Sequence, residues 1–328
     1  MTPRFSIIVP LYNKAPYIQK ALESIVAQTY RDFELIIVDD GSTDNSAVIC
    51  EEYLNSFTRS LVHSFIRQTN FGVAAARNRG VAESHGEYVC FLDADDWWEP
   101  TFLEEMDKLI TEYPDAGIYA SNYIYYKPGK THVALNLQRG YMNYPEAYLQ
   151  SGAMPVTSIT TCMPRKVFDE MGGFPAGIKL GEDFLLWAKT ALHYKVAFCE
   201  KPLAYYNNDI PATMRATRNL HAPEHHMLFN LQPIEAEIEC HVESVKCKDE
   251  WNKLLDKLRI SGLMDYWMDE RYHAVAAVEL KKVDWSKQPK SAKAIYKKPI
   301  WFLKAKRTFM QVGSYVKQKL MHFFTLIW

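Results

Sequence analysis

Three apolar runs, each followed at once by polar residues, constrain this chain more than any other feature. Phe5-Ser-Ile-Ile-Val-Pro10 leads into Tyr12-Asn13-Lys14, Phe33-Glu-Leu-Ile-Ile-Val38 into Asp39-Asp40-Gly41-Ser42, and Tyr88-Val-Cys-Phe-Leu92 into Asp93-Ala94-Asp95-Asp96. Short runs of this kind, apolar and rich in β-branched residues, read as buried strands. Between them lie segments with helical spacing at 17–28 (Ile18, Ala21, Leu22, Ile25), 44–54 and 73–84, and a further strand is expected at 61–67. Strands alternating with helices specify an α/β domain: a mostly parallel sheet with helices on both faces. The short crossovers bring the carboxyl ends of the strands to one edge, which is where open α/β sheets bind ligands.

The acidic group Asp93, Asp95 and Asp96 falls on that edge. Three uncompensated carboxylates so close together repel one another and tend to hold protons, so a cation is expected beside them. A hard divalent ion such as Mg²⁺ or Mn²⁺ takes oxygen ligands, commonly one or two carboxylates plus substrate phosphates. The competing reading is a solvated acidic turn that caps a helix beginning near Pro100.

Beyond Pro114 the pattern is less regular: a strand at 116–124, a stretch containing Gly and Pro at 127–140, a turn at Gly172-Gly173-Phe174-Pro175 and a helix at 184–193. From about His221 the chain reads as mainly helical. The expected organisation is therefore an α/β domain over 1–220, with a regular part at 1–115 and a less regular part at 116–220, followed by a helical region at 221–328. With 328 residues, 48% hydrophobic and 23% charged, there is ample chain for a full core. The six cysteines show no CxxC spacing, which favours a reducing compartment over a zinc ribbon or disulfide framework. Residues 1–10 lack a signal-peptide pattern, and no apolar run approaches the roughly 18 residues of a membrane span, so a cytoplasmic location is expected.

Charge is unevenly distributed. From Lys281 onward twelve Lys and Arg residues face the single acid Asp284, a net +11 that leaves −12 for residues 1–280 of a chain whose total is −1. Residues 301–328 can be written as one amphipathic helix, with Phe302, Phe309, Val312, Val316, Leu320, Phe323 and Ile327 on one face. Such a helix either packs on the α/β domain or lies on an anionic membrane surface. Nucleic acid is disfavoured as a partner, because the basic residues come with no recognisable binding module.

Five ordered blocks carry a resemblance: Ser6-Ile-Ile-Val-Pro-Leu-Tyr-Asn13, Val38-Asp-Asp-Gly-Ser-Thr-Asp44, Ala75-Ala-Arg-Asn-Arg-Gly80, Phe91-Leu-Asp-Ala-Asp-Asp96 and Gly181-Glu-Asp183. Together they make residues 5 to about 215 similar to the family-2 glycosyltransferases, which are inverting, nucleotide-sugar-dependent enzymes of the GT-A fold; the resemblance implies a catalytic domain over 1–220, with a nucleotide-sugar-binding half at 1–115 and an acceptor half at 116–220. The resemblance implies that Asp40 accepts the imide N–H of a uracil or thymine ring, with Asp39 beside it and Pro10, Tyr12 and Asn13 near the base and ribose. It places Arg77 near the nucleotide, Asp93 and Ala94 at the ribose or a metal-bound water, and Asp95 on the metal. Asp96 is then a second ligand or a helix cap.

The same resemblance makes Asp183 the general base that activates an acceptor hydroxyl, with Glu182 at the diphosphate or acceptor. Where relatives often carry a Tyr-Arg-x-His type segment, this chain has Tyr205-Tyr-Asn-Asn-Asp209. Asp209 could replace the missing imidazole as a metal ligand, and Arg215 and Arg218 could supply positive charge from a closing loop. A UDP-sugar donor is favoured over dTDP- or GDP-sugars, with a saccharide or lipid-linked saccharide as acceptor and surface-polysaccharide assembly as the setting. The alternatives are a nucleotidyltransferase on a related fold and a catalytically silent sugar-binding or membrane scaffold subunit. Trp97 and Trp98 read as packing residues, and His221, His225 and His226 as helix-surface or core residues without a metal.

Overall fold

The computed structural model describes residues 2–57, 62–214 and 220–304. The chain divides into two compact units, Met1–Leu254 and Leu255–Trp328. In order, the first unit contains β1 (Phe5–Leu11), α1 (Ile18–Val26), β2 (Phe33–Asp39), α2 (Ser46–Phe57), β3 (Val62–Arg67), α3 (Val73–Ala82), β4 (Tyr88–Phe91), β5 (Trp97–Trp98) and α4 (Phe102–Glu112). It continues with β6 (Ala116–Tyr126), β7 (His132–Val133), β8 (Gly140–Met142), α5 (Tyr144–Ser151), β9 (Thr161–Pro164), α6 (Arg165–Met171), α7 (Glu182–His193), β10 (Lys195–Asn207) and α8 (Gln232–His241). The next helix, α9 (Val245–Gly262), runs across the boundary into the second unit, which adds α10 (Met264–Met268), α11 (His273–Lys281) and α12 (Lys290–Tyr296).

One sheet holds the first unit together in the order β3-β2-β1-β4-β9-β6-β10-β5, with β7 beside β6 and β8 beside β10. Its first four members are parallel, in registers such as Ile8 opposite both Ile36 and Phe91. All seven residues of β1 and all seven of β2 are buried, as expected for parallel strands covered on both faces. The helix α3 lies directly on β1: a Cβ added at Gly80 would stand 2.4 Å from the Ile8 side chain. Only glycine permits that approach, which in turn sets the depth of Arg77 one turn earlier.

The strand predicted at 116–124 extends to Tyr126, and the helix predicted at 184–193 begins two residues earlier, at Glu182. Five strands were not legible: the two- and three-residue β5, β7 and β8, and the longer β9 and β10. β9 is only four residues long and antiparallel to both β4 and β6, so it carries no periodicity to read. β10 is thirteen residues long but contains Glu200-Lys201-Pro202, a break in the apolar pattern; the structure absorbs it in register shifts between Cys199, Pro202 and Ala204.

Composition placed a soft boundary near His221, whereas the segment 221–254 belongs to the first compact unit. Backbone bonds explain why. Lys179 N–H donates to His225 O at 2.8 Å and Met227 N–H to Leu180 O at 3.0 Å, tying this segment to the residues just before α7. His225 and His226 do not share a helix: Pro223–His225 and Met227–Phe229 are separate 3₁₀ turns. His226 is a core residue whose burial lowers its pKa to about 4.

In the second unit Leu258, Leu263, Tyr266, Leu280 and Tyr296 are buried, and Tyr296 Oη donates to Ile260 O at 2.6 Å. No helix among the described residues is long and apolar enough to cross a membrane. The amphipathic helix expected over 301–328 lies outside the described residues from 305 onward, as do Arg215 and Arg218.

Candidate active site

The carboxyl ends of β1, β2 and β4 meet the N-terminus of α7. Lys14 Nζ, from the loop after β1, donates to Asp95 Oδ2 at 2.5 Å and to Met214 O at 3.3 Å. Asn13 sits in the same loop at φ 50°, a left-handed backbone that asparagine tolerates better than most residues. Its Oδ1 accepts from Thr43 N–H at 2.8 Å, which locks the loop after β1 to the loop after β2. Tyr12 stands 46% exposed at this edge, available to a ligand ring, while Pro10 is within buried β1.

The two acids after β2 have separate surroundings. Asp39 is fully buried and accepts from Ser42 N–H at 3.0 Å and Arg67 Nε at 3.2 Å, closing the turn. Asp40 Oδ1 accepts from Gln68 Nε2 and Phe71 N–H, and its Oδ2 from Gly72 N–H, at 2.8–2.9 Å. A carboxylate offers about four lone-pair directions, so one on Oδ2 remains for a ligand donor.

Arg77 joins the acidic cluster to α7. It is 3% exposed and donates from Nη2 to Asp93 Oδ1 at 2.7 Å and from Nη1 to Glu182 Oε1 at 2.8 Å, 105 residues further along the chain. Its buried Nε has no hydrogen-bond partner. Burial alone would lower the guanidinium pKa, but Asp93 and Glu182 outweigh it and hold the group above its ordinary value.

The pKa values of Asp95 and Asp96 are also raised, which for a carboxylate favours the neutral form. Desolvation raises the pKa of Asp95, opposed by Lys14 and reinforced by Asp93. Asp96 is 3% exposed, accepts from Asn207 N–H at 2.7 Å and is pushed well above the ordinary range by burial and by Asp95 and Asp93. Ala94 is buried between them. A set of carboxylate oxygens carrying more negative charge than the Lys14 ammonium offsets fits a hard divalent cation.

Asp183 is half-buried in the first turn of α7, and its Oδ1 accepts from Phe184 N–H at 2.8 Å. Desolvation, and then Glu182, raise its pKa to about 7, with Arg77 opposing. A carboxyl group with that value exchanges protons near neutrality, which is what a general base needs. The turn before α7 requires glycine: Gly181 has φ 82°, and a Cβ there would stand 2.4 Å from Met227 Sδ.

Asp209 is exposed past the end of β10, and its carboxylate forms no ion pair or hydrogen bond among the described residues. Trp97 and Trp98 pack as expected: Trp97 stacks on Tyr205 at 5.0 Å, and Trp98 stacks on Phe102 at 4.0 Å while donating to Ile159 O. Sequence reasoning noted Lys14 only as part of a polar cluster. It also passed over Tyr148 and Tyr206, whose hydroxyls are raised by burial and then, respectively, by Asp183 and by the Asp93–Asp96 cluster. A cation placed after the first strand was the one available signal for Lys14; the tyrosines gave none, because their approach to the site depends on β10 and α5.

The fold is GT-A: S. aureus TarS residues 1–349 in complex with UDP-GlcNAc aligns with a TM-score of 0.72 over 89% of this chain and 83% of that one, at 21% identity. The model of the family described as "Glycosyl transferase family 2" matches residues 6–172, more than half of the chain, and the chain belongs to that family. Among curated relatives, glycosyltransferase GlyA of Streptococcus pneumoniae is 44% identical over 120 residues, 37% of this chain and 17% of GlyA. The minor teichoic acid biosynthesis protein GgaB of Bacillus subtilis is 34% identical over 129 residues, 39% of this chain and 14% of GgaB. The matched region is thus a small part of each of these relatives.

Proposed function

We propose that this chain is an inverting, metal-dependent glycosyltransferase that moves a sugar from a UDP-sugar to a saccharide or lipid-linked saccharide in surface-polysaccharide assembly. The observation that carries the reading is the bridge Asp93–Arg77–Glu182, which joins the acidic cluster at the sheet edge to the helix that bears a carboxyl titrating near 7. Tyr12, Asn13, Pro10 and the free lone pair of Asp40 take the nucleoside, with Asp39 shaping the turn beneath it. Asp95, with Asp93 and Asp96 as further oxygen donors, would hold Mg²⁺ or Mn²⁺, which neutralises charge on the departing diphosphate. Lys14 adds a second cation at the same place, and Arg215 and Arg218 would supply further positive charge for the diphosphate.

Asp183 takes the proton of the acceptor hydroxyl as that oxygen bonds to the anomeric carbon. The bond from that carbon to the diphosphate oxygen breaks on the opposite face, UDP leaves with the electron pair, and configuration inverts. Glu182, already neutralised by Arg77, keeps the first turn of α7 in place. The teichoic acid relative and the UDP-GlcNAc complex of TarS support the choice of acceptor setting and donor class.

Anomeric configuration of the product, read by NMR, tests the mechanism. Inversion and release of UDP are expected; retention, or release of pyrophosphate, would refute it.

A further inference from the structure

Outside the acidic edge of the sheet, a second group of ligating side chains is drawn together by two helix ends. His193 is the last residue of α7 and His241 the last of α8, while Glu237 lies one turn before His241 on the same face of α8. Glu237 Oε2 stands 3.1 Å from His193 Nε2 and 2.7 Å from His241 Nδ1, and the three ligand atoms all lie within 4.8 Å of one another. The imidazole rings are 4.8 Å apart.

We propose that His193, Glu237 and His241 form a zinc site that clamps the end of α7 to α8. Two imidazole nitrogens and one carboxylate oxygen are the donors Zn²⁺ takes when three protein ligands leave a fourth position to water. Donors about 2.0–2.1 Å from a tetrahedral ion stand about 3.3 Å apart, close to the two Glu237 separations, and the ligand atoms of the two histidines lie within 4.8 Å, so binding asks for side-chain adjustment that draws the imidazoles together. The site is also electrostatically prepared. Both histidines sit at helix C-termini, where the unpaired carbonyls favour positive charge.

Mixed nitrogen and oxygen donors select a borderline ion over Mg²⁺, which separates this site from the all-oxygen cluster at Asp93–Asp96. Because α7 begins at Glu182–Asp183 and ends at His193, an ion there holds the far end of the helix that carries the candidate base, about 17 Å away along its axis. The ion's work at that distance is structural. It stiffens the contact of α7 with α8 and does not touch a reacting atom.

The test uses the full chain stripped of metal with a chelator, in four forms: unchanged, Glu237→Gln, His193→Asn and Asp95→Ala. Zn²⁺ binding is followed by calorimetry and by the shift in unfolding temperature, and Co²⁺ substitution by its visible absorption, which is intense for a tetrahedral site and faint for an octahedral oxygen site. The unchanged protein and Asp95→Ala should each bind one zinc, unfold at a higher temperature with it, and give the intense cobalt spectrum. Glu237→Gln and His193→Asn should lose all three signals, and Glu237→Gln, which keeps size and helix propensity, covers the case in which His193→Asn folds poorly. Equal zinc binding by the unchanged protein and Glu237→Gln would overturn the proposal, and so would no binding to the unchanged protein, which would leave a His–Glu–His hydrogen-bond bridge. Loss of the site in Asp95→Ala alone would assign the zinc to the nucleotide edge and equally refute it.

Discussion

Asp183 keeps its proton to near neutrality because its carboxyl is desolvated beside Glu182, and Arg77 only partly offsets both. The rate should therefore rise with pH along an acidic limb centred near about 7, as the base loses its proton. Asp183→Asn should lower kcat by about 10²–10⁴ and leave donor binding nearly intact, which steady-state kinetics and calorimetry can separate. The same group should carry a stability signature. Its folded pKa of about 7 exceeds its ordinary value of 3.8, so the folded state binds more protons between those values. The stability it contributes is full below the lower value and is lost as pH rises through the upper one. Urea unfolding at pH 8 should accordingly find Asp183→Asn more stable than the parent by about 1–2 kcal/mol. Arg77 works in the opposite direction. Arg77→Met leaves Asp93 and Glu182 without their shared cation and should cost about 3–5 kcal/mol in unfolding free energy. Any active fraction should show its acidic limb moved to higher pH, because the charge that opposes protonation of Asp183 is gone.

Among the secondary-structure elements, α7 links fold to chemistry, and its start is set by Gly181. A side chain there meets both an unfavourable backbone at φ 82° and the Met227 side chain, so Gly181→Val should shift the first turn of α7. The expected result is a fall in kcat of at least about tenfold with the donor Kd little changed, since the nucleoside site we propose is on β1 and β2; an unchanged kcat would show that the turn is not what positions Asp183. The strands that lead into the site share a physical trait. β1, β2 and β4 are buried on both faces and read as continuous apolar runs, and the acids after them stand where the chain leaves the sheet. β9 and β10 lack that trait, because Thr161-Cys-Met-Pro164 has only two apolar residues between a threonine and a proline and β10 is broken at Lys201-Pro202. For the site the division is similar. Asp93, Asp95 and Asp183 belong to contiguous motifs, whereas the Lys14–Asp95 and Arg77–Glu182 pairs join residues 81 and 105 positions apart, a closeness created only by the assembled sheet.

For the whole molecule, the charge asymmetry of the sequence predicts different partners for the two ends of the chain. The +11 of residues 281–328 should draw the full chain to vesicles containing anionic lipid, with each basic residue near the surface worth about 1 kcal/mol. Cosedimentation should fall steeply between low and physiological salt, and binding that is equal on neutral vesicles would refute the electrostatic attachment. The −12 of residues 1–280 includes the acidic cluster that we assign to a divalent ion and a nucleoside diphosphate. Calorimetric titration of the full chain with UDP, dTDP, GDP and ADP, each with Mn²⁺ and with EDTA, tests that assignment most directly. The account predicts that UDP binds in the presence of Mn²⁺, that EDTA or Asp95→Ala weakens it by at least about tenfold, and that Asp183→Asn leaves it unchanged. Binding of none of the four, or binding of UDP indifferent to both EDTA and Asp95→Ala, would contradict it.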